Sequence, residues 1–153
     1  MTNFPRNSSK LLLIDDDPTM VRLLSTVIER RLGADGVEVE SLTDPQQALT
    51  RLSKEVVDII VTDFDMPNVN GLDVLRVAKQ RNACTQVLFI TGASSQTTLL
   101  EAMEQGATDY LLKPVDQDEL IELIRQAQSR HLRWRKALAS IWQQQQIPAE
   151  ATR

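Results

Sequence analysis

Two apolar runs in this 153-residue chain end on acids. Residues 11–14, "LLLI", lead into Asp15, Asp16 and Asp17, and residues 59–62, "IIVT", lead into Asp63, with Asp65 two places on. A third run, "VLFIT", closes on Thr91, and a fourth, "YLL", runs into Lys113 and Pro114. A carboxylate at the end of a buried run loses solvation unless something there needs negative charge. Gathered together, Asp15, Asp16 and Asp63 would repel, and some of their pKa values would rise. A divalent cation removes that penalty. Hard oxygen donors with open positions suit Mg²⁺, with Mn²⁺ as the alternative, and such an ion bridges readily to phosphate. Lys113 adds a point charge for a carboxylate or phosphoryl oxygen, and Thr91 adds a hydroxyl. A carboxylate nucleophile beside these groups is an apparatus for phosphoryl transfer onto aspartate. The acceptor is then Asp63.

Such a site needs elements that bring distant residues together. Five short apolar runs are present: residues 11–14, 37–42, 56–62, 87–91 and 110–112. All but the second are nearly continuous, as strands covered on both faces are. Each precedes a helical pattern. Asp17 caps the first helix, Pro18 suits its first turn, and Gly33 fits a left-handed stop. Asp44, Pro45 and Gln47 mark the second helix through a capping box. The third spans about residues 72–81, and the fourth about residues 95–105 with Gly106 as its stop. The fifth starts at Asp116, with Glu119 completing another box. This alternation predicts an α/β fold, a (βα)5 doubly wound parallel sheet with helices on both faces. Ligands of such sheets lie beyond the carboxyl ends of the strands, where the acids, Thr91 and Lys113 all fall.

Bulk composition narrows the class. A length of 153 suits one domain, and 42% hydrophobic residues supply one core. The net charge of -4 argues against a nucleic-acid surface, which needs a basic face. No apolar run approaches the ~20 residues of a membrane helix, and the N-terminal "MTNFPRNSSK", residues 1–10, lacks the apolar core of a signal peptide. Cys84 is the single cysteine, so no disulfide framework exists and a reduced, cytoplasmic setting is expected. Cys84 reads as a packing residue. His131, the single histidine, reads as exposed helix surface without a metal or kinase role.

The segments "LLLIDDDP", "VTDFDMPNVNG", "VLFITGAS" and "DYLLKP", in this order, resemble the receiver domain of bacterial two-component response regulators. The likeness covers about residues 10–130. It implies a chemotaxis-regulator-like sheet of strand order 2-1-3-4-5. It also implies site roles: Asp63 as phosphoacceptor, Asp16 as direct metal ligand with Asp15 acting through water, and the backbone carbonyl of Asp65 as a third ligand. Thr91 becomes the switch hydroxyl, Lys113 the partner of the phosphorylated aspartate, Tyr110 the aromatic that turns inward on activation, and Pro114 a cis proline. Asp65 and Ala93 occupy positions expected to tune phosphoryl lifetime. The implied partner is a histidine kinase or phosphotransfer protein in a phosphorelay. The resemblance further implies that the domain is not a conventional enzyme and catalyses only its own phosphorylation and dephosphorylation, with the surface of the fourth helix, fifth strand and fifth helix as the switch.

Three rivals fit less well. A haloacid-dehalogenase-type phosphatase needs its D-x-D on the first strand and no Pro67 there. A flavodoxin-like binder needs a Ser/Thr/Gly-rich phosphate loop where this chain has "DDDP". A degenerate scaffold would not keep the whole residue set. The expected organisation is a tail over 1–9, a receiver over 10–129, and a helical extension or linker over 130–153. Leu120, Ile124, Ala127, His131, Trp134, Leu138 and Ile141 recur at spacings of four and three, a seam of about three heptads. It predicts an extended C-terminal helix that dimerises or couples to an output. The chain is then either a single-domain regulator or a fragment ending in a linker, and Pro148 ends any helix.

Overall fold

The computed structural model describes residues 8–92 and 96–145. The chain alternates strictly: β1 (Ser9–Ile14), α1 (Pro18–Leu32), β2 (Val37–Leu42), α2 (Pro45–Lys54), β3 (Ile59–Asp63), α3 (Gly71–Arg81), β4 (Gln86–Thr91), α4 (Gln96–Glu104), β5 (Asp109–Leu112) and α5 (Gln117–Gln145). The sheet is parallel throughout, in the order β2-β1-β3-β4-β5. This is the doubly wound arrangement that the alternation of runs predicts.

Strand periodicity sorts the core into two layers. Leu11, Leu13, Ile59, Val61, Leu88 and Ile90 face α1 and α5, where they meet Leu24, Ile28, Leu120 and Ile124. Leu12, Ile14, Ile60, Val87 and Phe89 face the other way, onto Leu52, Leu75 and Ala78 of α2 and α3. Because β1, β3 and β4 bury both faces, they carry continuous apolar runs. β2 and β5 lie at the edges and alternate instead.

Several local expectations shift. Gly33 is right-handed at φ -59, and the left-handed turn falls on Gly36 at φ 85. The reversal is deferred because Asp35 and Gly36 donate to Leu32 and Gly33 carbonyls first, in one further tight turn. Gly106 does take the left-handed conformation, at φ 97. Asp44 caps α2 through the Gln46 amide rather than the Gln47 amide. Residues 56–58 lie outside β3, since Asp58 turns its side chain onto the Lys10 amide. The predicted box at Asp116 shows its forward bond, from the Glu119 amide.

α5 runs unbroken across residue 130, and His131 is buried, not exposed as its place on the helix suggested. Its imidazole turns inward because the seam from Leu120 to His131 packs on the domain's own sheet. Of the seam, Trp134, Leu138 and Ile141 remain more than half exposed, as does the neighbouring Trp142. The seam is therefore divided: its first half is spent intramolecularly, and the free part is shorter than three heptads. No helix among the described residues is long and apolar enough to cross a membrane. Ala93, Ser95 and Pro148 lie outside the described residues.

Candidate functional site

β1 ends at Ile14 because Asp15 turns away to begin the entry to α1. One Asp15 oxygen accepts the Asp17 amide at 2.9 Å, and Asp17 accepts the Thr19 amide, capping the helix. This pair of turns leaves Asp15 buried and Asp16 exposed at the carboxyl end of the sheet. β3 delivers Asp63 to the same edge, and one oxygen from each of Asp15, Asp16 and Asp63 lies within 4.8 Å of the others. β5 brings Lys113 alongside, with Nζ 3.4 Å from Asp63 Oδ1. Thr91, at the end of β4, is buried beside β3 and β5 in the sheet.

The loop after Asp63 is held from both ends. Phe64 donates to the Ile90 carbonyl at 2.9 Å and accepts the Gly71 amide at 2.8 Å. Asp65 bridges to Asn70, and Asn68 takes a left-handed φ of 63, a conformation asparagine tolerates. Asn70 and Asp73 then form a reciprocal capping box that starts α3. Sequence reasoning missed that box, although "NGLD" carries its spacing with Asp in the usual Glu position. It also missed Gly71. A Cβ there would meet Phe89 Cε1 at 2.7 Å and Phe64 at 3.0 Å. Glycine thus lets α3 begin directly against the edge-to-face Phe64–Phe89 pair.

Electrostatics mark the cluster as unfinished. Burial pushes the Asp63 carboxyl above its usual range despite Lys113 and the Asp65 amide, which pull it down, and nearby Asp16 adds to the rise. Burial raises Asp15 too; the bond from Asp17 opposes this and the charge of Asp63 reinforces it. Asp15 Oδ2 is buried without a hydrogen-bond partner. Buried polar atoms are rarely left so. Three converging carboxylates, one with an orphaned oxygen, fit a hard divalent cation with oxygen ligands and water. Asp65 is exposed on the adjoining loop. Tyr110 is exposed on the edge strand β5 and not turned inward, and the Lys113–Pro114 peptide is cis.

Comparison with known proteins matches this geometry. The family profile of the response regulator receiver domain matches residues 11–125. The transcriptional regulatory protein TrcR of Mycobacterium tuberculosis is 32% identical over 116 residues, covering 76% of this chain and 44% of that protein. The response regulator protein PilR of Pseudomonas aeruginosa is 36% identical over 118 residues, covering 77% of this chain and 26% of its own length. The chain therefore spans less than half the length of these relatives. Among solved structures, a response regulator receiver domain protein from Clostridium thermocellum is 31% identical with a TM-score of 0.70, covering 80% of this chain and 95% of that one. The receiver domain of Francisella response regulator 1452 is 28% identical, with a TM-score of 0.70 over 80% of this chain and 98% of its own. The shared strand order, the acidic crevice and these matches together make this chain a member of the response regulator receiver domain family.

Proposed function

We propose that, in the cytoplasm, Asp63 accepts a phosphoryl group from the phosphohistidine of a histidine kinase or phosphotransfer protein. The observation that carries this reading is the buried Asp63 carboxylate, 3.4 Å from Lys113 Nζ and grouped with Asp15 and Asp16. An Asp63 oxygen attacks phosphorus in line, the P–N bond breaks, and the neutral imidazole leaves after taking up a proton. The product is an acyl phosphate on Asp63. Asp16, Asp15 through water, Asp63 and the Asp65 carbonyl would hold Mg²⁺ or Mn²⁺. The ion supplies neutralisation of the phosphoryl charge when bound. Lys113 pairs with a phosphoryl oxygen in place of its present contact with Asp63. The Thr91 hydroxyl moves toward the new anion, and Tyr110 leaves its exposed position to follow. The surface of α4, β5 and α5 then shifts between two existing arrangements.

Incubation with acetyl phosphate and Mg²⁺ tests the assignment by intact mass. The parent chain gains one phosphoryl group that hydroxylamine removes, and Asp63→Asn gains none while keeping its circular dichroism. Stoichiometric labelling of Asp63→Asn at another residue would reject Asp63 as acceptor. For the extension, we propose that Trp134, Leu138, Ile141 and Trp142 of two copies pack together as a short coiled coil. With so few turns, the association is weak and concentration-dependent. Sedimentation of the chain and of Leu138→Glu decides it. A monomer at every concentration, phosphorylated or not, refutes the dimer.

A further inference from the structure

His131 is the last α5 side chain held inside the domain; from Arg133 to Gln145 nearly every residue is exposed. Its Nε2 lies 3.1 Å from Asp58 Oδ1, close enough for an ion pair though off the line of a good hydrogen bond. Nδ1 has no partner, and neither has the hydroxyl of Ser9, buried at the same pole where β1 begins. Asp58 itself is fixed on all sides. Its Oδ2 accepts the Lys10 amide at 2.8 Å, its amide donates to the Lys10 carbonyl at 3.1 Å, and its carbonyl accepts the Gln86 amide at 2.9 Å. Burial would raise the Asp58 carboxyl, but His131, the Lys10 amide and the charge of Arg135 outweigh it and hold it low. Arg135 stands one helical turn beyond His131 on the same helix.

Packing alone does not account for a histidine here. Position 131 continues the apolar seam, where a leucine would bury cleanly and leave no ring nitrogen unpaired. A polar group at one seam position instead fixes register and orientation, at a cost in stability. The carboxylate it meets is bonded to β1 and, through its backbone, to β4, and it immediately precedes β3. We infer that the His131–Asp58 contact is a latch that sets the direction in which the α5 extension leaves the domain. His131 is a positioning residue in this role. The latch sits at the opposite end of β3 from Asp63, and the inference stands whether or not Asp63 is phosphorylated.

The test measures direction, not stability. In a Cys84→Ser background, spin labels at Thr26 on α1 and Ser140 on the extension report their separation by pulsed dipolar spectroscopy. Labelled chain is diluted into excess unlabelled chain, so that only intramolecular distances count. The parent should give one narrow distribution. Asp58→Asn, which keeps the shape and removes the charge, should broaden or displace it, and His131→Leu should do the same. Should His131→Leu not fold, Asp58→Asn alone decides. Distributions superimposable on the parent's, even with a lowered melting temperature, would reduce the contact to packing and overturn the latch.

Discussion

Replacing Asp15 by Asn should stabilise the metal-free chain and abolish its response to magnesium. Asp15 is buried, its Oδ2 has no partner, and it lies within 4.8 Å of Asp63. Two unit charges at such a separation repel by about 3.5 kcal/mol at an effective dielectric of ~20. Lys113, 3.4 Å from Asp63, offsets part of that, and the exposed Asp16 contributes little through solvent. Asparagine keeps an oxygen for the Asp17 amide, which now reaches Asp15 at 2.9 Å. It also turns an NH₂ donor toward the remaining acids. A net gain of about 1–2 kcal/mol follows, or roughly 2–8 °C at ~2–4 °C per kcal/mol for a domain this size. Magnesium inverts the order. A ligand at 100 times its dissociation constant stabilises by about 2.7 kcal/mol, and the parent gains this while the variant gains almost none. Thermal melts of both proteins, in chelator and in saturating Mg²⁺, should therefore cross. A variant that melts lower than the parent in chelator, or that keeps the parent's full magnesium shift, would refute the electrostatic reasoning.

The pH dependence has a determined sign. Asp15 and Asp63 are raised in the fold, so the native state binds more protons than the unfolded one above the ordinary carboxylate pKa of ~3.9, and their contribution to stability falls as pH rises through the raised values. Asp58 is lowered and acts oppositely: its stabilisation is present above ~3.9 and is lost as pH falls through its native value. Urea titrations in chelator from acid to neutral pH should show the parent losing more stability on the way up than Asp63→Asn. Gly71→Ala places a methyl 2.7 Å from Phe89 and should cost about 1–3 kcal/mol by overpacking, read from the urea midpoint. Asn70→Ala removes one arm of the capping box on α3 and should cost about 1 kcal/mol in the same titration.

Much of this protein was legible from residue order. Strands buried on both faces carry runs such as "LLLI" and "VLFIT", and helices announce themselves by Asp-Pro starts at Asp17 and Asp44. Those signals are local, because backbone hydrogen bonding and side-chain periodicity act over a few residues. Alternation of strand and helix then leaves few windings, and any of them brings Asp15, Asp63, Thr91 and Lys113 to one edge. Partnership away from that edge was not legible. Whether a seam residue faces its own sheet or solvent depends on where the domain ends in space. His131 and Trp134 follow the same spacing, yet one is buried against Asp58 and the other is exposed. The need for glycine at 71 depends likewise on two phenylalanines from β4 and the β3 loop. The one-dimensional pattern determined which residues are acidic, apolar or capping. Only the tertiary structure decided which of the adjacent Asp15 and Asp16 lost its hydration, which carboxylate met His131, and where α5 stops belonging to the domain, because desolvation and close contact arise only once separate segments exclude water together.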